Sequence, residues 1–144
     1  MFLSEFNHTI DDKGRLTLPA KFRAELSAGV VVTRGLDRCL FIFAKSEWDT
    51  VSQQITKLPL TKADARTFAR FMFSGASDCE PDKQGRILLP SYLRQYAKLD
   101  NDVVIIGAGN RLEVWNPATW RETISGLEDN AQDTAERLAD LGIL

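Results

Sequence analysis

The chain has 144 residues, of which 44% are apolar, and a formal net charge of −2 at pH 7. This length supports one good hydrophobic core, and apolar clusters such as residues 30–32 and 103–106 are too short to span a bilayer. The polar first dozen residues exclude a signal peptide, so we expect a soluble cytoplasmic protein rather than a membrane protein.

A long segment of the chain occurs twice. The stretch DDKGRLTLPAKFR at residues 11–23 returns 71 positions later as DKQGRILLPSYLR at residues 82–94. The likeness runs from Met1, which matches Met72, to Trp48, which matches Trp120 after a slip of one residue. We therefore predict a first repeat at 1–48, a helical connector at 49–71, a second repeat at 72–120 and a C-terminal helix with an acidic tail at 121–144. A unit of roughly 45 residues is marginal alone, so the repeats should share one core.

Each repeat has the pattern of a β-rich α+β unit. It begins with a strand, a glycine-containing turn and a second strand that stops at Pro19 or Pro90. A short helix, a two-stranded hairpin and a closing helix follow. In the first repeat Leu16 and Leu18 alternate with polar residues, which predicts one buried face. In the second repeat residues 87–89 are all apolar, which indicates a strand covered on both faces.

Helix signals place further helices at about 46–58, 61–73 and 117–125. Ser46 and Thr61 have the spacing to an acid that is typical of helix starts, and Asn116 precedes a first-turn proline. For residues 130–141 two readings stay open: a final helix capped by Asn130 and ended by Gly142, or a frayed tail.

The charge distribution is uneven. Residues 122–144 carry a net charge of −5, which leaves +3 for residues 1–121. Because both repeated stretches contain more basic than acidic residues, we expect two equivalent basic spots. Such clusters are what binding to a nucleic acid backbone requires.

The repeated Asp-x-x-x-Arg is the strongest candidate binding site. A tight turn brings residues four apart together, so each aspartate can fix its arginine for a phosphate or a guanine edge. The alternative is a plain ion pair that stabilises the hairpin, but the duplication favours contact with DNA or RNA. The candidate residues are Asp11, Lys13, Arg15, Asp82, Lys83 and Arg86, with weaker candidates in Lys21, Arg23 and Arg94, which also suit a solvated helix face.

Other kinds of site have little support in the sequence. Cys39 and Cys79 have no metal-ligand spacing and read as reduced, packed thiols, and the one histidine, His8, reads as a surface or strand residue. No catalytic or nucleotide-binding motif is present, so we expect neither an enzyme nor a cofactor or metal. The tryptophans could stack on bases, but their equivalence across the repeats favours core packing.

The motifs together resemble one protein family. The initial MF, DDKGRLTLP with FR, the later FSGA, and DKQGRILLP with LR are similar to the MraZ family, a bacterial branch of the swapped-hairpin AbrB-like superfamily. Ser4 stands where that family commonly has glycine, and Ile10 where leucine is usual. The resemblance implies a pseudo-twofold, duplicated swapped-hairpin AbrB-like barrel with a helical connector and peripheral helices.

The resemblance also implies a function. It indicates a nucleoid-associated transcriptional regulator, generally a repressor of its own cell-division and cell-wall operon, that binds tandem repeats of double-stranded DNA upstream of that operon. It further implies a ring-shaped homo-oligomer whose Asp-x-x-x-Arg hairpins are presented to DNA. The alternative is a protein-interaction module of the same fold without direct DNA contact.

Overall fold

The structure is a computed structural model that describes residues 1–143. These residues form a mixed α+β fold, and short 3-10 turns precede α1, lie between β3 and β4, and follow α5. The strands are β1 (Glu5–Thr9), β2 (Arg15–Thr17), β3 (Val30–Arg34), β4 (Leu40–Ala44), β5 (Ser77–Cys79), β6 (Arg86–Leu88), β7 (Asp102–Gly107) and β8 (Leu112–Trp115). The α-helices are α1 (Arg23–Leu26), α2 (Lys45–Thr56), α3 (Ala63–Gly75), α4 (Ser91–Tyr96) and α5 (Pro117–Arg137).

The strands form two separate sheets. Six of them form an antiparallel sheet in the order β1-β7-β8-β4-β3-β5. β2 pairs with β6, and an isolated bridge joins its Leu16 to Ile10, the residue after β1 in its own repeat. We call the β2 and β6 pair the β2–β6 ribbon. Because β1 and β5 end the larger sheet, the strands of residues 1–143 do not close into the barrel that the family resemblance implied. The α+β class and the β-rich composition are confirmed.

The repeats exchange strands. The first strand of the first repeat, β1, pairs with β7 of the second repeat, with Phe6 opposite Ile105. In return β5, the first strand of the second repeat, pairs with β3 of the first, with Val31 opposite Asp78. The β2–β6 ribbon is a third pairing between the repeats. Each repeat is therefore completed by backbone hydrogen bonds from the other.

The main core lies between the larger sheet, the β2–β6 ribbon and the short helices. Equivalent positions of the two repeats meet there, because alternating leucines and the inward face of each short helix point to one interior. The members that match across the repeats, all almost fully buried, are Leu16 and Ile87, Leu18 and Leu89, Phe22 and Leu93, and Leu26 and Ala97.

A second core lies on the opposite face of the larger sheet, beneath α2, α3 and the start of α5. Phe43 packs 5.7 Å from Trp48, centroid to centroid, and their counterparts Trp115 and Trp120 pack at 5.3 Å. The prediction that the tryptophans pack in a core is therefore confirmed. Ile55 of α2 belongs to the same cluster.

Helix boundaries follow the sequence signals only in part. Asn116 caps α5 as predicted, since its Oδ1 accepts hydrogen bonds from the amides of Ala118 and Thr119. Helices α2 and α3 form within two residues of their predicted bounds, but their N-caps are Ala44 and Lys62, so the caps predicted at Ser46 and Thr61 are wrong.

The tail differs more from its prediction. Helix α5 continues unbroken to Arg137, so both Asn130 as a cap and fraying from residue 130 are wrong. The Asn130 side chain donates to the carbonyl of Gly126 within the helix. Gly142 does end the following 3-10 turn, in a left-handed conformation with φ +72°. None of the helices in residues 1–143 is long and apolar enough to cross a membrane.

The two faces of the β2–β6 ribbon differ in burial. Leu16 and Ile87 are opposite each other on the inner face, whereas Leu88 on the outer face is 61% exposed. The prediction that the second of these strands is covered on both faces is therefore wrong. Apolar composition alone could not reveal this, because a strand with three apolar residues in a row fits either one or two buried faces.

Leu16→Ala and Leu88→Ala form a matched test of this arrangement. Leu16 is fully buried, so its truncation should lower the free energy of unfolding by about 2–5 kcal/mol. Truncation of exposed Leu88 should change it by less than about 0.5 kcal/mol. Urea unfolding followed by circular dichroism measures both, and equal losses would contradict the inward and outward assignment.

Candidate nucleic-acid interface

The turn between β1 and β2 is fixed by one aspartate. Asp11 Oδ1 accepts hydrogen bonds from the amides of Lys13 (3.0 Å) and Arg15 (2.9 Å), and Oδ2 accepts from Arg15 Nε at 2.7 Å. The amide of Gly14 donates to the Asp11 carbonyl, and Gly14 has φ +84°, a conformation that glycine adopts without strain. The predicted glycine turn is confirmed.

The turn between β5 and β6 has the same geometry. Asp82 Oδ1 accepts from the amides of Gln84 and Arg86, each at 2.9 Å, and Oδ2 accepts from Arg86 Nε at 2.9 Å. Gly85 has φ +74°. Both arginines thus use Nε for the aspartate, and within residues 1–143 neither Nη atom of either guanidinium has a hydrogen-bond partner. Four directed Nη donor groups remain for a ligand.

Both aspartates are held in the charged form. The hydrogen bond from the arginine amide is the main cause that lowers the pKa of Asp11 and of Asp82, and bonds from the arginine side chain and a second amide act in the same direction. Partial desolvation opposes them. Because the folded pKa lies below the ordinary 3.8, the carboxylates stabilise the turns above that pH. This stabilisation is lost as the pH falls through the lower folded value.

The β2–β6 ribbon brings the two arginines onto one surface. Arg15 lies opposite Leu88 and Thr17 lies opposite Arg86, so all four occupy its outer face. Arg15 and Arg86 are therefore diagonal neighbours, which lie roughly 7–8 Å apart in an antiparallel pair. The sequence predicted two equivalent basic spots, and the fold joins them into one surface, which we call the ribbon face.

The weaker candidates Arg23 and Arg94 each lie against the turn of the other repeat. A Cβ added at Gly14 of the first repeat would lie 3.1 Å from Arg94 Cζ of the second. A Cβ added at Gly85 would collide with Arg23 Nε of the first repeat. Each arginine also donates Nε to a carbonyl in its own repeat, Arg23 to Leu18 at 3.4 Å and Arg94 to Leu89 at 3.2 Å. Each guanidinium therefore lies against the other repeat's turn and adds positive charge beside it.

The lysines are placed less uniformly. Lys13 is exposed at the third position of the first turn, whereas Lys83 is exposed at the second position of the other turn, where Gln84 occupies the place of Lys13. Lys21 is exposed, with its Nζ 5.9 Å from the ring centroid of Phe22. The predicted cations thus occur on the turns, on the ribbon strands that follow them, or on the short helical segments beyond, but the two turns present different charges.

Two residues of the ribbon face were missing from the predicted set. Thr17 and Leu88 lie beside the arginines, and Leu88 exposes a large apolar side chain there. The sequence could have indicated Thr17. It lies between Leu16 and Leu18, so the alternation of a strand places it on the same face as Arg15. Leu88 carried no such signal because its neighbours are also apolar.

In the part of the chain that the structure describes, no comparable cluster of side chains indicates metal binding or thiol chemistry. In residues 1–143 no group of three or more His, Cys, Asp or Glu side chains is arranged to hold a metal ion. Cys39 and Cys79 are free and buried, as predicted, and burial raises the pKa of both thiols. His8 lies in β1, where partial burial and then the charge of Arg23 lower its pKa.

Comparison with known proteins matches both halves of the chain. A model of the family described as "MraZ protein, putative antitoxin-like" matches residues 1–71 and again residues 72–141. The chain is 50% identical over 143 residues to the transcriptional regulator MraZ of Moorella thermoacetica, which covers 99% of this chain and 100% of that one. It is 49% identical over 140 residues to the protein of the same name from Carboxydothermus hydrogenoformans, with 97% and 98% covered. Against that of Natranaerobius thermophilus it is 51% identical over 143 residues, with 99% and 100% covered.

The contact between Arg23 and the second turn can be tested with two glycines. Gly85 and Gly109 both have positive φ, so alanine at either should introduce strain of roughly 1–2 kcal/mol. Only at Gly85 would the new Cβ also displace a side chain, because nothing lies within 4 Å at Gly109. Gly85→Ala should therefore lower the free energy of unfolding by more than Gly109→Ala.

The double variant Gly85→Ala with Arg23→Ala completes the cycle. Removing Arg23 takes away the collision, so the double variant should be more stable than additivity predicts by about 0.5 kcal/mol or more. Chemical denaturation of all four proteins supplies the measurement. Strict additivity would mean that Arg23 does not lie against this turn.

Proposed function

This chain belongs to the MraZ family, and on that premise we propose that it regulates transcription by binding double-stranded DNA through the ribbon face. The observation that carries the proposal is the convergence of two aspartate-anchored arginines, Arg15 and Arg86, on one face of a two-stranded ribbon. The relatives of similar sequence are named as transcriptional regulators, which agrees with this role.

The shape and chemistry of the ribbon face suit the DNA major groove. That groove is roughly 12 Å wide and admits a two-stranded β-ribbon. An arginine whose Nε is bound to a carboxylate still offers Nη donors to the O6 and N7 atoms of guanine or to a phosphate. Since Asp11 and Asp82 fix both guanidinium groups before DNA arrives, little side-chain entropy is lost on binding.

The surrounding cations would contact the phosphate backbone. Lys13 and Lys83 lie on the turns, and Arg23 and Arg94 lie against them. Lys21, in the 3-10 turn before α1, is a further exposed cation. Phosphate contacts of this kind set position and affinity, while the groups on the ribbon face would read the bases.

We further propose that the chain binds tandem repeats upstream of its own division and cell-wall operon, as a homo-oligomer that represses by occupying the promoter. A single subunit with a net charge of −2 should bind DNA weakly. Several linked subunits on repeated sites would gain affinity by roughly 10²–10⁴ through effective concentration. The strand exchange between the repeats supports placing the fold in the swapped-hairpin AbrB-like class.

Loss of either anchored arginine should weaken binding to the DNA upstream of this protein's own gene. Arg15→Ala and Arg86→Ala should each reduce affinity by about tenfold, because a bidentate arginine contact is worth about 1–3 kcal/mol. Where the lost contact is to phosphate, the slope of log affinity against log salt should fall by about 0.9. Fluorescence anisotropy with a labelled upstream fragment, over a salt series, measures both quantities.

Arg38→Ala is the matched control for loss of one positive charge. Arg38 lies in the turn between β3 and β4, outside the ribbon face. Its Cζ is 4.9 Å from the ring centroid of Tyr96. Its loss should leave DNA affinity unchanged. Unaltered binding by the Arg15 and Arg86 double variant would reject the ribbon face as the DNA contact. Salt-insensitive association with a protein, without retardation of upstream DNA, would select the protein-interaction module instead.

Leu88 should contribute to the choice of bases. An exposed leucine between two arginines is placed to contact a thymine methyl group, a distinguishing feature of A·T pairs in the major groove. Replacing thymine by uracil in the fragment should weaken binding roughly fourfold per contacted methyl, since such a group contributes about 0.8 kcal/mol when buried. Leu88→Ala should bind both fragments equally, whereas Leu3→Ala, which alters a leucine of similar exposure elsewhere, should keep the preference. A preference retained by Leu88→Ala would exclude this contact.

A further inference from the structure

Arg23 of the first repeat is connected to the turn of the second repeat through one leucine. Its Nε donates to the carbonyl of Leu18 at 3.4 Å, and the amide of Leu18 donates across the repeats to the carbonyl of Gly85 at 2.9 Å. The guanidinium also occupies the space beside Gly85, because a Cβ added there would collide with Arg23 Nε. Two contacts of different kinds therefore join Arg23 to this one turn.

Arg94 has the same relation to the turn of the first repeat. Its Nε donates to the carbonyl of Leu89 at 3.2 Å, and the amide of Leu89 donates to the carbonyl of Gly14 at 2.9 Å. A Cβ added at Gly14 would lie 3.1 Å from Arg94 Cζ and Nη2 and 3.2 Å from Nε. Because these three atoms are almost equally distant from one point, the plane of the guanidinium faces the glycine. A planar group fits this space, and a lysine ammonium has no such plane.

The glycine beside each guanidinium belongs to the turn that anchors an arginine of the ribbon face. The amide of Gly85 donates to the carbonyl of Asp82 at 2.9 Å, and the carboxylate of Asp82 accepts the Nε of Arg86. A shift of Gly85 would therefore alter the direction in which the free Nη groups of Arg86 point. The first turn has the same chain of contacts.

The two guanidinium groups are placed by the backbone rather than by acidic partners. Within residues 1–143 neither Arg23 nor Arg94 forms an ion pair, and both stay at least partly exposed. Their charge thus remains available to a phosphate, while their planar groups lie against the turns. Contact with a phosphate needs only the positive charge, whereas holding the turn needs the shape of the guanidinium as well.

We propose that Arg23 positions Arg86 for DNA and that Arg94 positions Arg15. Both are positioning residues, because they act through the backbone of the opposite turn and not through the bases. This inference rests on the proposed function and deepens it, since it assigns the alignment of the base-reading groups to two residues of the short helices. Each repeat then depends on the other to present its arginine to the major groove.

Substitution by lysine separates positioning from contact with phosphate. Arg23→Lys keeps the charge but removes the planar group, so a residue that only contacts phosphate should tolerate it. For a positioning residue we expect the affinity for upstream DNA to fall by about twofold to tenfold, since no more than the contact of Arg86 can be lost. Fluorescence anisotropy measures the affinity. Arg38→Lys makes the same change outside the ribbon face and should leave the affinity unaltered.

The duplication supplies a crossed control. In combination with Arg86→Ala, Arg23→Lys should cause no further loss of affinity, because the arginine that it positions is absent. In combination with Arg15→Ala it should cause its full loss, and Arg94→Lys should show the reverse pattern. Two results would overturn the proposal. Unchanged affinity of Arg23→Lys would indicate contact with phosphate alone, and an equal further loss in both combinations would indicate a general loss of structure.

Amide hydrogen exchange tests the positioning without DNA. The amides of residues 84–86 all donate to Asp82, so their exchange reports how firmly the second turn is held. Arg23→Lys should accelerate exchange at 84–86 by about twofold or more and leave 13–15 unchanged, and Arg94→Lys should do the reverse. Acceleration at both turns by one variant, or at neither, would contradict the proposal.

The two measurements separate this inference from the proposed function. If exchange responds as described but the unmodified chain has no affinity for upstream DNA, the proposed function is refuted and the placement of the turns by Arg23 and Arg94 stands. If DNA binding is lost with Arg15 and Arg86 while the lysine variants are unaltered in both measurements, this inference alone is refuted.

Discussion

Neither repeat completes its own sheet. β1 is hydrogen-bonded to β7, β5 to β3, and β2 to β6, so each repeat obtains part of its strand pairing from the other, beside the β3–β4 and β7–β8 pairs within the repeats. The shared core follows from this pairing, because Leu16 and Ile87 meet across the ribbon as equivalents. The candidate site also depends on it. Without the β2–β6 pair, Arg15 and Arg86 would belong to two independent turns rather than to one surface.

The site is built to hold cations in place without burying them. Each aspartate accepts two backbone amides and one guanidinium Nε, so the turn and its arginine are fixed by the same carboxylate. Isolated ion pairs at a protein surface contribute little to stability. These two pairs instead fix the orientation of Arg15 and Arg86. Arg23 and Arg94 add positive charge where each lies against the turn of the opposite repeat.

Local features were readable from the sequence, and contacts between the repeats were not. The duplication, the glycine turns and the Asn116 cap rest on residues close together in the chain, so spacing predicted them. Pairing of β2 with β6 joins residues some 70 positions apart, and two equivalent strands give no local sign that they pair with each other. The exposed Leu88 and the crossing of Arg23 and Arg94 depend on that pairing. The unbroken α5 was missed because Asn130 resembles a cap while its side chain bonds within the helix.

The unequal turns have a consequence for the kind of operator that fits. A homodimer of identical repeats would have true twofold symmetry and would match a palindrome, since operator symmetry mirrors protein symmetry. In this chain the two repeats are joined in one polypeptide and differ in sequence. Asp12 and Lys13 of the first turn correspond to Lys83 and Gln84 of the second. On the proposed function, a ribbon face with two distinct ends would bind DNA with a polarity. It would then recognise a non-palindromic site in a single direction, which is what successive sites arranged head to tail along a duplex require.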